Sequence, residues 1–526
     1  MDTIHKIGRG RVRSGGAGFI QGAADMAKRL VMVGIDGCHQ GVLYGLIDRG
    51  EVPFFNNLLK NGTRVKHAVT MLPSTTGSCC ATLYTGAWYR HHGILNNEWV
   101  DRFVTPVRGR SYLESLHEAL DSMDRKLFGF PTILLPEKHK GGQINNDLNP
   151  AYPTIFEAMT AAGKTSYSFF HYFGKGATRW VRPSRTDMIR FGYAENWQKP
   201  LQIYEKQLVT RAINICKKKM PDLLAIYFGC NDGHSHRHGV AAQNEYIRDF
   251  IDPELRRLEA ALKRFNPEDT FYWTISADHG QTTMLESERD RNMWFTSFYP
   301  MLQAAGIQKI DRGLSTKKLD DLEAIISLGN GATVGFYMKN KRAGDWKAEP
   351  DFEADLVPVL NNCLKASALA APFADFKFPG YLDFLLTRRS FNEPYHIYTN
   401  KPPFEGVGEM IPIEKYFEKN DGRYVKPLER IHSLDHPKGP DFIIMLEYFD
   451  KHFNINEENG FHPGQHGSLC PDDSFVPMIF SGPGIRHDEI EEAFTTNWAP
   501  TAASILGVEM PEADGKPLPI FEKNNK

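Results

Sequence analysis

Four short, nearly continuous apolar runs constrain this chain more than any other feature: RLVMVGID (29–36), DLLAIYFG (222–229), FYWTISAD (271–278) and VPMIFSG (476–482). None alternates between polar and apolar residues, so none reads as a strand with one wet face; such runs predict parallel strands buried on both sides. Amphipathic stretches separate them, among them TIFEAMTAAG (154–163) and IRDFIDPELRRLEAALKRF (247–265), which suit helices packed on the sheet faces. Strand and helix in alternation predict an α/β fold with a doubly wound, mostly parallel sheet. Ligands of such sheets gather beyond the carboxyl ends of the strands.

The polar residues that can bind metals sit at those ends. Asp36 follows VMVGI, Asp232 and His236 follow AIYFGCN, and Asp278 with His279 follows TISA. His466, in HPGQHGS, precedes VPMIF. An Asp after a strand is by itself most often a turn or helix cap. Three carboxylates and three imidazoles converging on one crevice make a two-metal site instead, with a ligand mixture that suits zinc and tolerates manganese or iron.

Composition narrows the remaining classes. At 526 residues the chain exceeds what one core fills, which predicts a large α/β domain with insertions or two lobes. The 62 basic and 64 acidic residues leave a net charge of −2, so no nucleic acid polymer is expected as a partner and an anionic substrate must be held locally. The most apolar early stretch carries Asp36 and His39, and no membrane span is expected. Seven cysteines without CxxC spacing suit a reducing compartment, and residues 1–28, basic and Gly-rich without an apolar core, read as a loose arm or tag rather than a signal peptide. A cytoplasmic location is the expectation.

Taken in order, five segments resemble the nucleotide pyrophosphatase/phosphodiesterase branch of the alkaline phosphatase superfamily: IDG (35–37), PSTTGSCCATLYTGAWYRHHGILNN (73–97), DGHSHRHG (232–239), SADHG (276–280) and HPGQHGS (462–468). TTNWAPTAASILG (495–507) and DGKPL (514–518) match its closing segment. The resemblance implies an alkaline phosphatase-like catalytic domain over 29–340 and 440–526; the stretch 341–439 between them lies outside the resemblance and, being rich in aromatics, prolines and mixed charge, reads as an inserted cap or lid. It implies two zinc ions, one held by Asp36, Thr76, Asp278 and His279 and the other by Asp232, His236 and His466. It makes Thr76 the nucleophile, counted back from Thr85, with Thr75 as the neighbouring alternative, and Asn97 the phosphoryl-binding residue. The implied reaction is hydrolysis of a small-molecule phosphodiester through a phosphothreonine intermediate, which water then releases.

The residue chemistry is compatible with that reading. A threonine hydroxyl is a weak nucleophile unless a cation lowers its pKa, and Thr76 precedes GSCCATLYTG, a predicted helix start that favours phosphoryl oxygens. Two divalent ions would carry as much positive charge as three carboxylates and a Thr76 alkoxide carry negative. So neutral a centre favours a singly charged diester. The segment TGSCC lacks the Pro and Arg of a sulfatase motif, and no Arg follows Thr76 as in phosphatases with a serine nucleophile. Phosphonoacetate hydrolases and phosphomonoesterases remain alternatives, since Lys175 and Arg179 fall where such enzymes place a cationic pair, although a solvated basic turn explains them equally. A binding module that kept the fold is the non-enzymatic alternative, disfavoured because the six ligands, Thr76 and Asn97 are all present. His234, His238 and His462 read as structural by default, and Trp88, Tyr89, Phe170 and Tyr172 as packing residues able to stack a leaving group. Oligomeric state is not legible.

Overall fold

The computed structural model describes residues 27–111, 144–182, 202–284, 292–313, 319–329, 331–369, 373, 376–420, 422–450, 453–455 and 461–522. Most of the expected N-terminal arm lies outside these residues. Its last two members, Ala27 and Lys28, open the first strand.

Strand Ala27–Ile35 lies at the centre of a nine-stranded sheet, and its last six residues are buried. It runs parallel to Leu223–Phe228 on one side and Asp269–Ser276 on the other, pairing Ile35 with Phe228 and Gly34 with Ser276. Ser166–Phe169 and Arg179–Val181 extend the parallel set beyond Leu223–Phe228. On the opposite flank Met478–Ser481 runs antiparallel to both Asp269–Ser276 and Gly62–Val69. The fourth apolar run is thus a strand, as expected, but not a parallel one. All four of its residues are buried, and it is burial on both faces, not strand direction, that produces a continuous apolar run.

Helices cover the sheet in two separate groups. Pro53–Lys60, Gln202–Cys216 and Asp252–Phe265 pack on one another, as do Thr76–Thr85, Ile155–Ala161 and Trp498–Ile505. Ile155–Ala161 starts where its sequence says it should: Thr154 accepts the Glu157 N–H while Glu157 accepts the Thr154 N–H, a reciprocal cap.

A second sheet has seven strands, ordered Ile310–Arg312, Ala324–Gly329, Thr333–Met338, Phe442–Leu446, Leu382–Thr387, His396–Thr399 and Glu409–Pro412. All its pairings after the first are antiparallel. The bounds 341–439 enclose three of its strands, Leu382–Thr387, His396–Thr399 and Glu409–Pro412, and leave the other four outside, three before the stretch and one after it. The reason is that Ala324–Gly329 and Thr333–Met338 are wholly buried runs that look, residue by residue, like strands of the first sheet. The two sheets share a seam in which Met71, Leu72, Cys79 and Tyr89 pack with Phe384, Leu386, Ile431 and Ile443. The tip of one hairpin of the second sheet also touches the catalytic side: a Cβ on Gly331 (φ +80°) would lie 1.9 Å from the His466 carbonyl, so only glycine permits the approach.

Candidate metal centre

Three adjacent parallel strands deliver their acidic residues side by side. Asp36 follows Ala27–Ile35, Asp278 and His279 follow Asp269–Ser276, and Asp232 lies one turn from His236 on helix Cys230–His238, which follows Leu223–Phe228. His466 is returned to them by a short antiparallel ladder in which Gly464 pairs with Thr283 and Gln465 with Thr282. Thr76 is the first residue of helix Thr76–Thr85.

The side chains converge in two overlapping groups, Asp36 with Asp278 and His279, and Asp232 with His279 and His466; within each, one atom per residue lies within 4.8 Å of the others. His236 Nε2 is 3.2 Å from Asp232 Oδ2. His279 Nε2 is 3.5 Å from carboxylate oxygens of both Asp36 and Asp278, and 3.2 Å from Thr76 Oγ1. All six ligand candidates and Thr76 are thus brought together. Thr75 is not: its hydroxyl is 2.9 Å from Ser78 Oγ and donates to Asn96 Oδ1 at 3.1 Å.

The orientation of the imidazoles is set by the main chain. Nδ1 of His236 lies 2.6 Å from the Gly464 carbonyl, that of His279 2.9 Å from the Gly280 carbonyl and that of His466 2.6 Å from the Ser74 carbonyl. A carbonyl only accepts, so each Nδ1 carries the proton and each Nε2 presents a lone pair to the centre. His466 Nε2 and Asp36 Oδ1 are buried without a hydrogen-bond partner. Three Nε2 atoms and three carboxylates, with two of these atoms unsatisfied, fit a pair of divalent ions of the zinc type.

Electrostatics point the same way. Burial, then the Asp278 and Asp232 carboxylates, raise Asp36 well above the usual carboxylate range. Burial also opposes ionisation of Asp232, yet the neighbouring His236 outweighs it and holds that carboxyl below its ordinary value. Burial followed by His279 holds His466 neutral. A site that penalises its own charges this heavily is relieved by bound cations.

Asn97, fully buried, accepts the Gly77 N–H at 2.7 Å through Oδ1, which anchors it to the first turn of the Thr76 helix. Its Nδ2 is buried with no hydrogen-bond partner. A buried donor left unsatisfied on a side chain anchored to the residue after Thr76 is suited to a phosphoryl oxygen.

The expected cationic pair does not assemble. Lys175 Nζ faces Glu157 Oε1 at 3.6 Å. Arg179 is exposed at the start of an edge strand, in register with Tyr167, Leu224 and Val31. Val31 precedes Asp36 by about 16 Å of strand, so Arg179 stands at the far end of the sheet. Tyr89, Phe170 and Tyr172 are buried, and Trp88 packs edge-on against Phe494. His234 packs, tilted, against the rings of His238 and Tyr246, while His462 lies 5.6 Å, ring to ring, from His236. The seven cysteines are all buried.

Several neighbours of the centre were not singled out by sequence. Tyr227 donates to Asp278 Oδ2 at 3.0 Å, Gln281 Nε2 donates to Asp232 Oδ1, and Asn231 Nδ2 donates to the Asp36 carbonyl at 2.9 Å. Cys80 Sγ lies 3.7 Å from Asp278 Oδ2, and burial, then that carboxylate, pushes its thiol well above the usual range. Asn231 and Gln281 each lie within three residues of a ligand, and that adjacency is their only sequence signal. Tyr227 carries none, since it reads as one more strand residue.

The sequence model of the family described as type I phosphodiesterase / nucleotide pyrophosphatase matches residues 30–381. The chain belongs to that family. Among relatives, an ectonucleotide pyrophosphatase/phosphodiesterase 1 of Saccharomyces cerevisiae is 22% identical over 294 residues, covering 51% of this chain and 36% of its own length. Human ectonucleotide pyrophosphatase/phosphodiesterase family member 7 is 21% identical over 271 residues, 51% of each chain. The chain therefore spans about half, or less, of the curated relatives it matches. Solved structures share its fold: murine ectonucleotide pyrophosphatase/phosphodiesterase 5 at a TM-score of 0.54 and 15% identity, covering 93% of this chain and 97% of that one, and the alkaline phosphatase PafA at 0.60 and 15%, covering 95% and 100%. The alkaline phosphatase-like α/β fold expected from sequence is the fold found. Among the described residues no helix is long and apolar enough to cross a membrane.

Proposed function

We propose that this family member hydrolyses small phosphodiesters of the nucleotide type, with Thr76 as nucleophile, in a centre for two divalent ions. The observation that carries the reading is the position of Thr76 Oγ1, at the first residue of a helix and 3.2 Å from His279 Nε2, inside the converging ligand groups. Asp36, Asp278 and His279 would hold one ion together with Thr76, and Asp232, His236 and His466 the other. Bound there, such ions lower the pKa of the threonine hydroxyl and offset the charge of the transferring phosphoryl group.

The chain's own residues supply the rest. Helix Thr76–Thr85 fixes the hydroxyl and favours negative charge at its start. Thr76 Oγ1 displaces the leaving alcohol from phosphorus, giving a phosphothreonine; water then returns a hydroxyl to phosphorus and a proton to Thr76. Asn97 Nδ2 donates to a non-bridging oxygen throughout. Diesters are favoured over monoesters because the centre is near neutral and neither Lys175, engaged with Glu157, nor Arg179, at the far end of the sheet, supplies a further cation. The printed names of the relatives, and the solution of an inactive form of the murine protein with AMP, support nucleotide substrates.

The test is a rate comparison on the zinc-loaded protein across an aryl or nucleotide diester, the matching monoester, phosphonoacetate and a sulfate ester. Fastest turnover of the diester is expected. Preference for the monoester or phosphonoacetate would assign the chain to a different branch of the superfamily, and turnover of none would leave a binding module.

A further inference from the structure

Arg430 is fully buried on helix Pro427–His432, and among the described residues it forms no ion pair. The other buried arginines show how unusual its contacts are. Arg102 grips Asp441 with two hydrogen bonds of 2.9 and 3.0 Å, and Arg312 reaches Glu98 at 2.8 Å. Arg388 donates only to carbonyls, those of Phe391 in its own turn and of His436, Pro437 and Gly439 in one further loop, and none of these adjoins a ligand candidate. Arg430 instead spans three segments. Nη1 donates to the Val425 carbonyl at 3.2 Å and to Ser474 Oγ at 2.6 Å, while Nη2 donates to the carbonyls of Met71 at 2.9 Å and Ser468 at 3.1 Å.

Those acceptors adjoin the metal centre. Met71 lies on the segment that leads into Thr76, and Ser468 is two residues beyond His466. Ser468 is fixed from its other side as well, its N–H and hydroxyl both donating to Asp473 Oδ2 at 2.9 and 2.7 Å. Asp473 Oδ1 takes the Thr282 hydroxyl at 2.8 Å, which extends the connection to the loop of Asp278 and His279. A buried cation is costly to keep without a counter-charge. A planar fork of fixed donors, however, spaces two carbonyls in a way that an apolar side chain cannot.

We propose that Arg430 is a positioning residue for the metal centre, its guanidinium setting the separation between the loop that leads to Thr76 and the loop that carries His466. This rests on the two-ion reading above. It also means that the segment packed against the second sheet, which supplies no ligand of its own, tunes the affinity of the first sheet's site.

The test compares Arg430→Met, Arg430→Lys and Arg388→Met in the full chain, reading zinc affinity by chelator competition, thermal midpoint, and kcat and KM on a diester. Arg430→Met is expected to weaken zinc binding by about 10- to 100-fold, as is usual for residues that orient metal ligands, and to lower kcat with little change in KM. Arg430→Lys recovers part of both, because one ammonium still reaches a carbonyl. Arg388→Met lowers the midpoint and leaves zinc affinity at the wild-type value. Equal zinc affinity in wild type and Arg430→Met overturns the proposal, as does an equal loss in Arg388→Met, which would mark general softening. Should Arg430→Met fail to fold, unchanged zinc affinity in Arg430→Lys overturns it instead. Wild-type protein that binds no divalent ion sinks the two-ion reading itself, a different result from two ions bound equally by all variants.

Discussion

Replacing Asn97 separates what it does for the helix from what it does for the reaction. Its Oδ1 bond to the Gly77 N–H is a neutral hydrogen bond with a net contribution of about 0.5–1.5 kcal/mol. Its unsatisfied, buried Nδ2 costs about 1–3 kcal/mol in the absence of substrate. Asn97→Ala removes both, so the two changes largely cancel and the thermal midpoint moves little. The reaction has no such compensation: losing a donor aimed at a phosphoryl oxygen costs about 2–4 kcal/mol of transition-state stabilisation, or about 30- to 1000-fold in kcat. Asn97→Asp sharpens the contrast, since it keeps an acceptor for Gly77 but turns the donor into an acceptor facing an anion. Its stability should fall below wild type, since a further carboxylate is buried beside the acidic ligands, and its kcat should fall at least as far as that of Asn97→Ala. The assay is steady-state turnover of a diester on zinc-loaded protein, with metal content and midpoint measured alongside. A kcat for Asn97→Asp within about threefold of wild type, less than 1 kcal/mol, would refute the assignment of Nδ2 to the phosphoryl group.

Thr76→Ala deletes the nucleophile at a helix start where alanine is well tolerated, so turnover should drop by at least about 10⁴-fold while zinc content and midpoint hold; a live Thr76→Ala with a dead Thr75→Ala would shift the register by one. Zinc binding should release protons at pH values within the raised range of Asp36, because burial and then Asp278 and Asp232 raise that carboxyl in the metal-free protein. The ion competes with that proton, so affinity falls as pH drops through the raised Asp36 range and levels off above it; calorimetry in buffers of different protonation enthalpy that detects no proton exchange would contradict this. Lys175→Ala should change diester kcat/KM by less than about threefold, given the Lys175 pairing with Glu157, whereas a monoester activity abolished by the same substitution would restore Lys175 to the site.

How far the sequence reaches can be seen at particular residues. Asp36, Asp232 and Asp278 were legible because two-faced burial writes a strand as an apolar run and the first acidic residues after it mark its carboxyl end. Their adjacency in space required the strand order, which the run pattern does not carry. The direction of Met478–Ser481 was illegible for the same reason. Lys175 and Arg179 misled because they are close in sequence, while the chain turns back between them at Gly176 (φ +83°) and carries Arg179 to the other end of the sheet. The extent of the second sheet was hidden by Ala324–Gly329 and Thr333–Met338, whose burial resembles that of first-sheet strands. Tyr227 sits inside an apolar run, and only its hydroxyl contact with Asp278 distinguishes it from the strand residues around it.

The acceptors that fix the three imidazoles are the carbonyls of Ser74, Gly280 and Gly464. Every residue type offers the same carbonyl, so drift in side-chain identity cannot switch these rings to the other tautomer. Only a change in backbone path can. As far as the acceptor is concerned, the centre is thereby insulated from a change of side chain at Ser74 but exposed to substitutions that bend the loops themselves, such as a side chain at Gly280 or Gly464, whose Cβ would meet the Asp472 carbonyl at 2.0 Å or the Ser235 carbonyl at 2.6 Å. Loss-of-function changes near this site should therefore fall on residues that shape the main chain as well as on Thr76, Asn97 and the ligand side chains.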